Sequence, residues 1–271
     1  MPTINTNVNA LFAQNALKVN DRNMTKAMQQ LSTGSQVNSA ADNAAGLSTS
    51  ISMTAQIKGM NQAIRNANDG ISMLQTAEGA MTEQTNMLQR MRELAVQATT
   101  STYNSTQLGY LDTEFQALDT QINNISTNTK WNGSTVLASA TTQDFVVGSA
   151  GSETISVELA ATDTTTGLAT ADLAVSSAAS AAAAVTLIDT ALASLSSARA
   201  SLGAGINQLT YAADNLTNTS ANMQASRSQI MDTDYATATS NLARAQIIQQ
   251  AATAMLAQAN QAPASVLALL K

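Results

Sequence analysis

Carboxylates are the side chains through which this chain could do acid–base chemistry. The sequence contains 18 Asp and Glu residues but neither histidine nor cysteine. It therefore lacks the commonest general base and metal ligand, and it has no thiolate nucleophile and no disulfide. Two carboxylates that flank a substrate can still share acid and base roles, as they do in glycoside hydrolysis.

The acidic residues, however, are scattered singly along the chain. Single carboxylates are typical of solvated helix and loop surfaces rather than of a catalytic pair. We therefore predict no catalytic, cofactor-binding or metal-binding residues, and we expect that the protein is not an enzyme.

The net charge of −6 lies in the middle of the chain. Residues 131–190 carry six acids and no lysine or arginine, whereas acids and bases cancel elsewhere. Nucleic-acid binding requires a basic stripe, which this sequence lacks. We also find no run of about 20 apolar residues and expect no membrane insertion. Residues 1–20 lack the pattern of a cleavable secretory signal.

Both ends of the chain are predicted to form weakly charged amphipathic helices. Prolines occur only at Pro2 and Pro263, so no proline interrupts the sequence between them. Apolar residues recur at steps of three and four in residues 1–43 and again in residues 232–271. Turn-forming residues at 32–35 and again at 38–46 separate the first helix from the longer helical pattern that begins near Ala44.

Two longer stretches carry coiled-coil heptads and predict helical rods that pair with each other. A third helix, within residues 108–125, is predicted to fold back on the first rod as an antiparallel partner. The seam residues of the two rods are Ile57, Met60, Ile64, Ala67, Ile71, Leu74, Met81, Leu88 and Ala95 in the first, and Leu202, Leu209, Leu216, Met223 and Ile230 in the second.

Residues 131–177 differ from the rest of the chain. They contain short runs of alternating β-branched residues, and glycine and asparagine bound these runs, which predicts short strands and hairpins. The predicted fold is mainly α, with a long antiparallel coiled coil or helical rod formed by the N- and C-terminal halves and a small β-hairpin region in the middle. The predicted segments are 1–43, 44–130, 131–177, 178–231 and 232–271.

Several passages of this sequence also resemble bacterial flagellin, over approximately residues 1–138 and 180–271. They are Ile4-Asn-Thr-Asn, Leu31-Ser-Thr-Gly, Val37-Asn-Ser-Ala-Ala-Asp-Asn-Ala-Ala-Gly-Leu, Gln89-Arg-Met-Arg-Glu-Leu-Ala-Val-Gln, Asp234-Tyr-Ala-Thr, Arg244-Ala-Gln-Ile and Leu256-Ala-Gln-Ala-Asn-Gln. The resemblance implies a secreted structural subunit that self-assembles into the helical filament of the bacterial flagellum for motility.

The resemblance also gives the two ends of the chain a role. It implies that residues 1–43 and 232–271 line the inner tube of a homopolymer, and we expect both segments to be disordered in the monomer. The predicted polymerisation residues are Val8, Leu11, Leu17, Leu31, Leu242, Ile248, Met255, Leu256, Leu267, Leu269 and Leu270.

Further partners follow from the same resemblance. It implies a flagellar export chaperone and secretion apparatus, filament cap and hook-junction proteins, and host Toll-like receptor and inflammasome sensors. The positions that match the family's receptor-recognition and subunit-contact element are Gln89, Arg90, Glu93, Leu94 and Glu114.

Other functions were weighed against the filament subunit. A hook–filament junction protein shares the terminal helices but forms a single ring, and it is the main alternative. A soluble coiled-coil adhesin or effector would not need both termini for polymerisation. A filament-displayed zinc protease is excluded, because the H-E-x-x-H site needs histidine.

Overall fold

Helices make up most of the protein, and the strands lie between the third and fourth helix. The computed structural model describes residues 7–171 and 173–268, with side chains described as far as residue 261. The prediction of a mainly α fold with a small central β region is confirmed. The elements are α1 Val8–Thr33, α2 Ala44–Ala98, α3 Ser105–Asn128, β1 Lys130–Trp131, β2 Ser134–Thr135, β3 Thr141–Val146, β4 Thr154–Leu159, α4 Ala178–Met231 and α5 Tyr235–Ala268.

Local sequence signals explain where the first and third helices begin and end. Asn7 caps α1 by accepting a hydrogen bond from the Ala10 N–H, and α1 ends at Gly34 with a φ of 68°. Asn104 and Gln107 form a reciprocal capping box at the start of α3. These caps satisfy backbone groups that a helix end would otherwise leave without partners.

The chain divides into two compact units. The terminal unit contains residues 1–55 and 222–271, and the central unit contains residues 56–221. The division falls inside α2 and inside α4, whereas the predicted segments end at the breaks between helices.

In the terminal unit α1 packs antiparallel to α5. Asn7 donates to the Ala259 carbonyl oxygen at 2.7 Å, and Asn20 donates to the Ala245 carbonyl oxygen at 2.8 Å. At the other end of the pair, the Thr233 N–H donates to the Gly34 carbonyl oxygen at 3.0 Å.

The contact between α1 and α5 follows a heptad seam made mostly of small residues. Buried and half-buried side chains recur at steps of three and four on each helix, the pattern of a coiled coil. The seam consists of Ala10, Ala13, Leu17, Asn20, Met24, Ala27 and Leu31 on α1, and Ala238, Leu242, Ala245, Gln249, Ala252, Leu256 and Ala259 on α5.

In the central unit α2 packs antiparallel to both α3 and α4. Arg92 pairs with Asp189 of α4, and further back along α2 Glu78 pairs with Arg199. On the other side, Arg90 pairs with Glu114 of α3. The largest fully buried side chains of this core include Leu74, Met81, Leu88, Phe115, Ile122, Ile188, Leu195 and Leu202.

The predicted seam of α2 is largely correct, but the buried face is wider than a two-helix seam. Ile64 and Ile71 are half-buried, while the other seven predicted seam residues are buried. Ala77 and Gln84 are also fully buried, because α2 contacts α3 and the segment after β4 as well as α4.

The two β-hairpins lie in the central unit. β1 and β2 are joined by Asn132 and Gly133, both with positive φ, as a tight hairpin turn requires. β3 pairs antiparallel with β4 over six residue pairs. This second hairpin lies against α2, where Asn66 donates to the Val146 carbonyl oxygen at 3.3 Å.

Helix α4 is 54 residues long and rich in alanine. It contains an 18-residue window with a mean hydropathy of 1.6, of which 28% is buried, so by length and composition alone it could cross a membrane. The window reflects alanine content, and the inner face of α4 packs in the central core through Ile188, Ala191 and Leu195.

Candidate assembly and recognition surfaces

Large apolar side chains lie on the outside of the α1–α5 pair. Phe12 is 69% exposed, and Ile247 and Met255 are each 65% exposed. Many seam positions between the two helices hold small residues, and these bulky side chains lie on the outer side of the pair. The exposed set comprises Val8, Leu11, Phe12, Val19, Met28, Ile247, Ile248 and Met255.

The structure separates the predicted polymerisation residues into three groups. Leu17, Leu31, Leu242 and Leu256 are half-buried in the seam between α1 and α5. Val8, Leu11, Ile248 and Met255 are exposed. The side chains of Leu267, Leu269 and Leu270 lie outside the described residues.

The predicted polymerisation residues did not include four members of the exposed set, namely Phe12, Val19, Met28 and Ile247. Steps of three and four identify an amphipathic helix but do not tell which of two neighbouring stripes faces the helix partner. The available signal was size, because alanine repeats every seven residues at 238, 245, 252 and 259. Such a run marks the close-packed stripe and leaves the larger residues for another surface.

An apolar groove runs along one side of the α1–α5 pair. It has a volume of about 580 Å³, and Phe12 and Met255 border it. Its floor is formed by alanines of both helices. Mostly apolar concave surfaces of this kind are suited to receive protruding apolar side chains.

A cluster of ion pairs lies on the surface where α2 and α3 meet. Arg90 contacts Glu114 at 2.8 Å and Glu93 at 3.0 Å. Hydrogen bonds to these two carboxylates raise the pKa of Arg90. A neighbouring pair joins Arg92 to Asp189 at 2.6 Å, and this hydrogen bond lowers the pKa of Asp189. These contacts join side chains that are about half exposed on the surface.

The structure brings four of the five predicted recognition residues to one surface. Gln89, Arg90, Glu93 and Glu114 are exposed, whereas Leu94 is only 1% exposed and packs in the central core. Leu94 therefore supports the surface from beneath instead of contributing to it.

A polar stripe on α3 is a feature that the sequence did not reveal. Asp112 accepts from the Val175 N–H at 2.8 Å, Gln116 donates to the Leu173 carbonyl oxygen at 2.5 Å, and Asp119 accepts from the Thr170 hydroxyl at 2.9 Å. The three residues lie on one face of α3 because they are spaced by four and three. They attach the return segment, residues 160–177, which connects β4 to α4.

No metal-binding cluster of three or more acidic residues occurs among residues 7–171 and 173–268. The surfaces that remain as functional candidates are the apolar outside of the terminal unit and the charged face of the central unit. Both are suited to protein–protein contact.

Comparison with known proteins identifies the family. Residues 4–142 match the model of the bacterial flagellin N-terminal helical region, and residues 185–270 match that of the C-terminal helical region. This chain belongs to the bacterial flagellins. The two matched regions lie in the order that the sequence passages indicated, and the first of them includes the β1–β2 hairpin.

Whole-length relatives agree with this assignment. The flagellin of Halalkalibacterium halodurans is 42% identical over 99% of each chain. Flagellin B of Vibrio cholerae is 33% identical over 98% of this chain and 99% of its own. The crystal structure of Bacillus cereus flagellin has a TM-score of 0.51 and 31% identity, and the match covers 60% of this chain and 94% of that one. This flagellin is a structural subunit of the flagellar filament.

Proposed function

We propose that this flagellin polymerises through the exposed apolar faces of α1 and α5, and that the terminal unit completes its folding when it docks on neighbouring copies. The observation that carries the proposal is the exposure of Phe12, Ile247 and Met255 beside a seam of small residues. Burying a large apolar side chain contributes about 1.5–3 kcal/mol. In a lone subunit these side chains contribute little to stability.

A neighbouring copy is the occupant that fits this surface. Identical subunits that meet through different faces make heterologous contacts, and a rotation that does not close yields a helical polymer. The groove bordered by Phe12 and Met255 can receive apolar side chains of such a neighbour. Helix formation driven by this contact accords with the marginal stability of helices that bury little apolar surface.

The test compares filament assembly on seeds by electron microscopy. Phe12→Asn and Met255→Gln should each slow growth and raise the subunit concentration that supports filaments. Gln14→Asn is a matched control, because Gln14 is exposed on the same helix but polar. Normal growth of the Phe12 and Met255 variants would contradict the proposed surface.

The coupling of folding to docking has its own measurement. Amides of α1 and α5 should exchange with solvent rapidly in the monomer and slowly in the filament, since exchange reports local opening. Strong protection of these amides in the monomer would show that the terminal unit folds before docking.

Export follows from the same surface. We propose that the chain leaves the cell unfolded through the flagellar secretion apparatus, with a chaperone covering the apolar residues of α5. Ile247, Ile248 and Met255 supply an exposed apolar stripe that a chaperone could cover. Pull-down of a chaperone by the full chain should weaken when Ile247 and Met255 are both replaced by glutamine.

The hook–filament junction is the second candidate role, and assembly distinguishes it from the filament. A filament subunit elongates on seeds and contacts cap and junction proteins at the two filament ends. A junction protein stops at short oligomers. Long filaments from purified protein would exclude the junction role.

Recognition by host receptors is proposed for the charged face of the central unit. The residues Gln89, Arg90, Glu93 and Glu114 are exposed, and Arg90 pairs with both glutamates, so this face offers charged and hydrogen-bonding groups to a Toll-like receptor. Arg90→Ala should weaken signalling by monomer, whereas Arg65→Ala, which removes another exposed arginine of α2, should not. The leucine-rich tail that would engage inflammasome sensors lies outside the described side chains.

A further inference from the structure

Besides Nε of Arg199, whose side chain is 35% exposed, two buried polar atoms of the central unit have no hydrogen-bond partner among the described residues. They are the side-chain oxygen Oε1 of Gln84 and the hydroxyl oxygen Oγ1 of Thr162. Gln84 is 0% exposed and Thr162 is 1% exposed, so bulk solvent reaches neither. Buried polar groups are nearly always satisfied in folded proteins, by protein atoms or by an internal water.

The orientation of the Gln84 amide follows from its other contacts. Its Nε2 donates to the carbonyl oxygen of Ile122 at 3.3 Å and to that of Thr162 at 3.4 Å. If Nε2 and Oε1 were exchanged, the Gln84 side-chain oxygen would face the carbonyl oxygens of Ile122 and Thr162 with no donor between them. Oε1 therefore remains an acceptor that needs a donor, while the Thr162 hydroxyl can both donate and accept.

We propose that Gln84 and Thr162 form an internal binding site for one water molecule. The water donates a hydrogen bond to Gln84 Oε1 and accepts one from the Thr162 hydroxyl. The 3.4 Å hydrogen bond from Gln84 Nε2 to the Thr162 carbonyl oxygen already joins the two residues, so the two unpartnered atoms belong to neighbouring residues. Internal waters of this kind bridge buried polar groups about once in every 27 residues.

The position of the site gives the water a structural role. Gln84 lies on α2, its acceptor Ile122 lies on α3, and Thr162 begins the return segment. The Thr162 N–H and the Ser126 hydroxyl both donate to the Leu137 carbonyl oxygen, at 2.9 Å and 2.8 Å. The water thus links α2 to the return segment, beside the direct hydrogen bond that joins Gln84 to α3.

The test counts long-lived internal waters in the full-length monomer by ¹⁷O magnetic relaxation dispersion. Thr162→Val removes the hydroxyl at nearly constant shape and should lower the count by one. Thr162→Ser keeps the hydroxyl and should leave the count unchanged. An unchanged count in Thr162→Val would overturn the proposal.

A structure of the wild-type protein at a resolution that orders water gives an independent result that needs no variant. It should show one density peak within hydrogen-bonding distance of both Gln84 Oε1 and Thr162 Oγ1. A direct hydrogen bond between these two atoms, with no peak between them, would also overturn the proposal.

Discussion

Asn20 and Ala245, 225 positions apart in sequence, are joined by a buried hydrogen bond of 2.8 Å from an amide side chain to a helix carbonyl. Asn20 is the buried polar member of an otherwise largely apolar seam on α1. A polar side chain within a coiled-coil seam costs stability but favours one pairing over its alternatives. The pairing of α1 with α5 is therefore specified by hydrogen bonds as well as by shape.

The glycines of α2 provide a prediction with an internal control. A Cβ at Gly59 would overlap the Ser149 carbonyl oxygen at the tip of the β3–β4 hairpin, and a Cβ at Gly70 would lie 2.7 Å from the Phe145 ring. Around Gly79 the space is open. We expect Gly59→Ala to lower the free energy of unfolding by about 1–3 kcal/mol, because overpacking displaces the hairpin.

Gly79→Ala should instead raise that free energy by up to about 1 kcal/mol, since alanine favours the helix. Urea unfolding of the monomer measures both variants. If Gly59→Ala stabilised the protein as much as Gly79→Ala, this result would contradict the close packing of the hairpin against α2.

Asp163 makes the stability of the central unit depend on pH. Burial raises the pKa of Asp163, but hydrogen bonds from Thr165, Thr166 and the Gly167 N–H outweigh burial and lower the pKa to about 2. The usual value is 3.8, so the carboxylate stabilises the fold above pH 3.8, and this contribution is lost as the pH falls through 2.

We expect Asp163→Asn to reduce the free energy of unfolding by up to about 2 kcal/mol at neutral pH. The difference between wild type and variant should shrink between pH 4 and pH 2, which denaturant unfolding at several pH values would measure. A difference that stayed constant over this range would show that the charge of Asp163 is not responsible.

The ion pair between Arg92 and Asp189 should contribute little to stability. Its side chains are 46% and 49% exposed, and exposed pairs contribute about 0–1 kcal/mol. A double-mutant cycle with Arg92→Ala and Asp189→Ala should give a coupling energy below about 1 kcal/mol that declines in high salt. A larger, salt-independent coupling would mean that the pair is desolvated in solution.

Phe115 should be among the most sensitive positions of α3. It is fully buried in the central core, and truncation of a buried phenylalanine costs about 3–5 kcal/mol. Tyr110 on the same helix is 72% exposed, so Tyr110→Ala should change stability by no more than about 0.5 kcal/mol. Equal losses from Phe115→Ala and Tyr110→Ala would place the core on the wrong face of α3.

Periodicity in the sequence predicted the helices and the β region, because repeating apolar steps report directly on a buried stripe. The break at Gly34 and the start of α4 at Ala178 were also predicted, the first from turn-forming residues and the second from the return of helical periodicity. The burial of Gln84 was not predicted. A glutamine on a helix is expected to be exposed unless its hydrogen-bond partners on other segments are known. The burial of Leu94 was not predicted either. The sequence identified the element around residue 94 as a candidate for recognition, but it did not indicate which of its residues face the core.

The family passages predicted a set of positions for a recognition surface, but they did not predict how these positions are arranged in space. Arg90 and Glu114 are 24 residues apart, and their contact requires α3 to fold back on α2 at one register. The predicted polymerisation residues divided between seam and surface for a related reason. Leucine is apolar whether it lies in the seam or on the surface. Which leucines lie in the seam depends only on the alanines of the facing helix.

The pairing of the two chain ends has a consequence for the order in which folding can occur. Asn20 must wait for Ala245, and Arg92 must wait for Asp189, 97 positions later. Contacts of such long sequence separation raise the entropy of loop closure and slow folding. A chain that emerges from the ribosome one end first has most of its length synthesised before α1 meets its partner. The topology itself delays folding of the terminal unit until almost the whole chain has been synthesised.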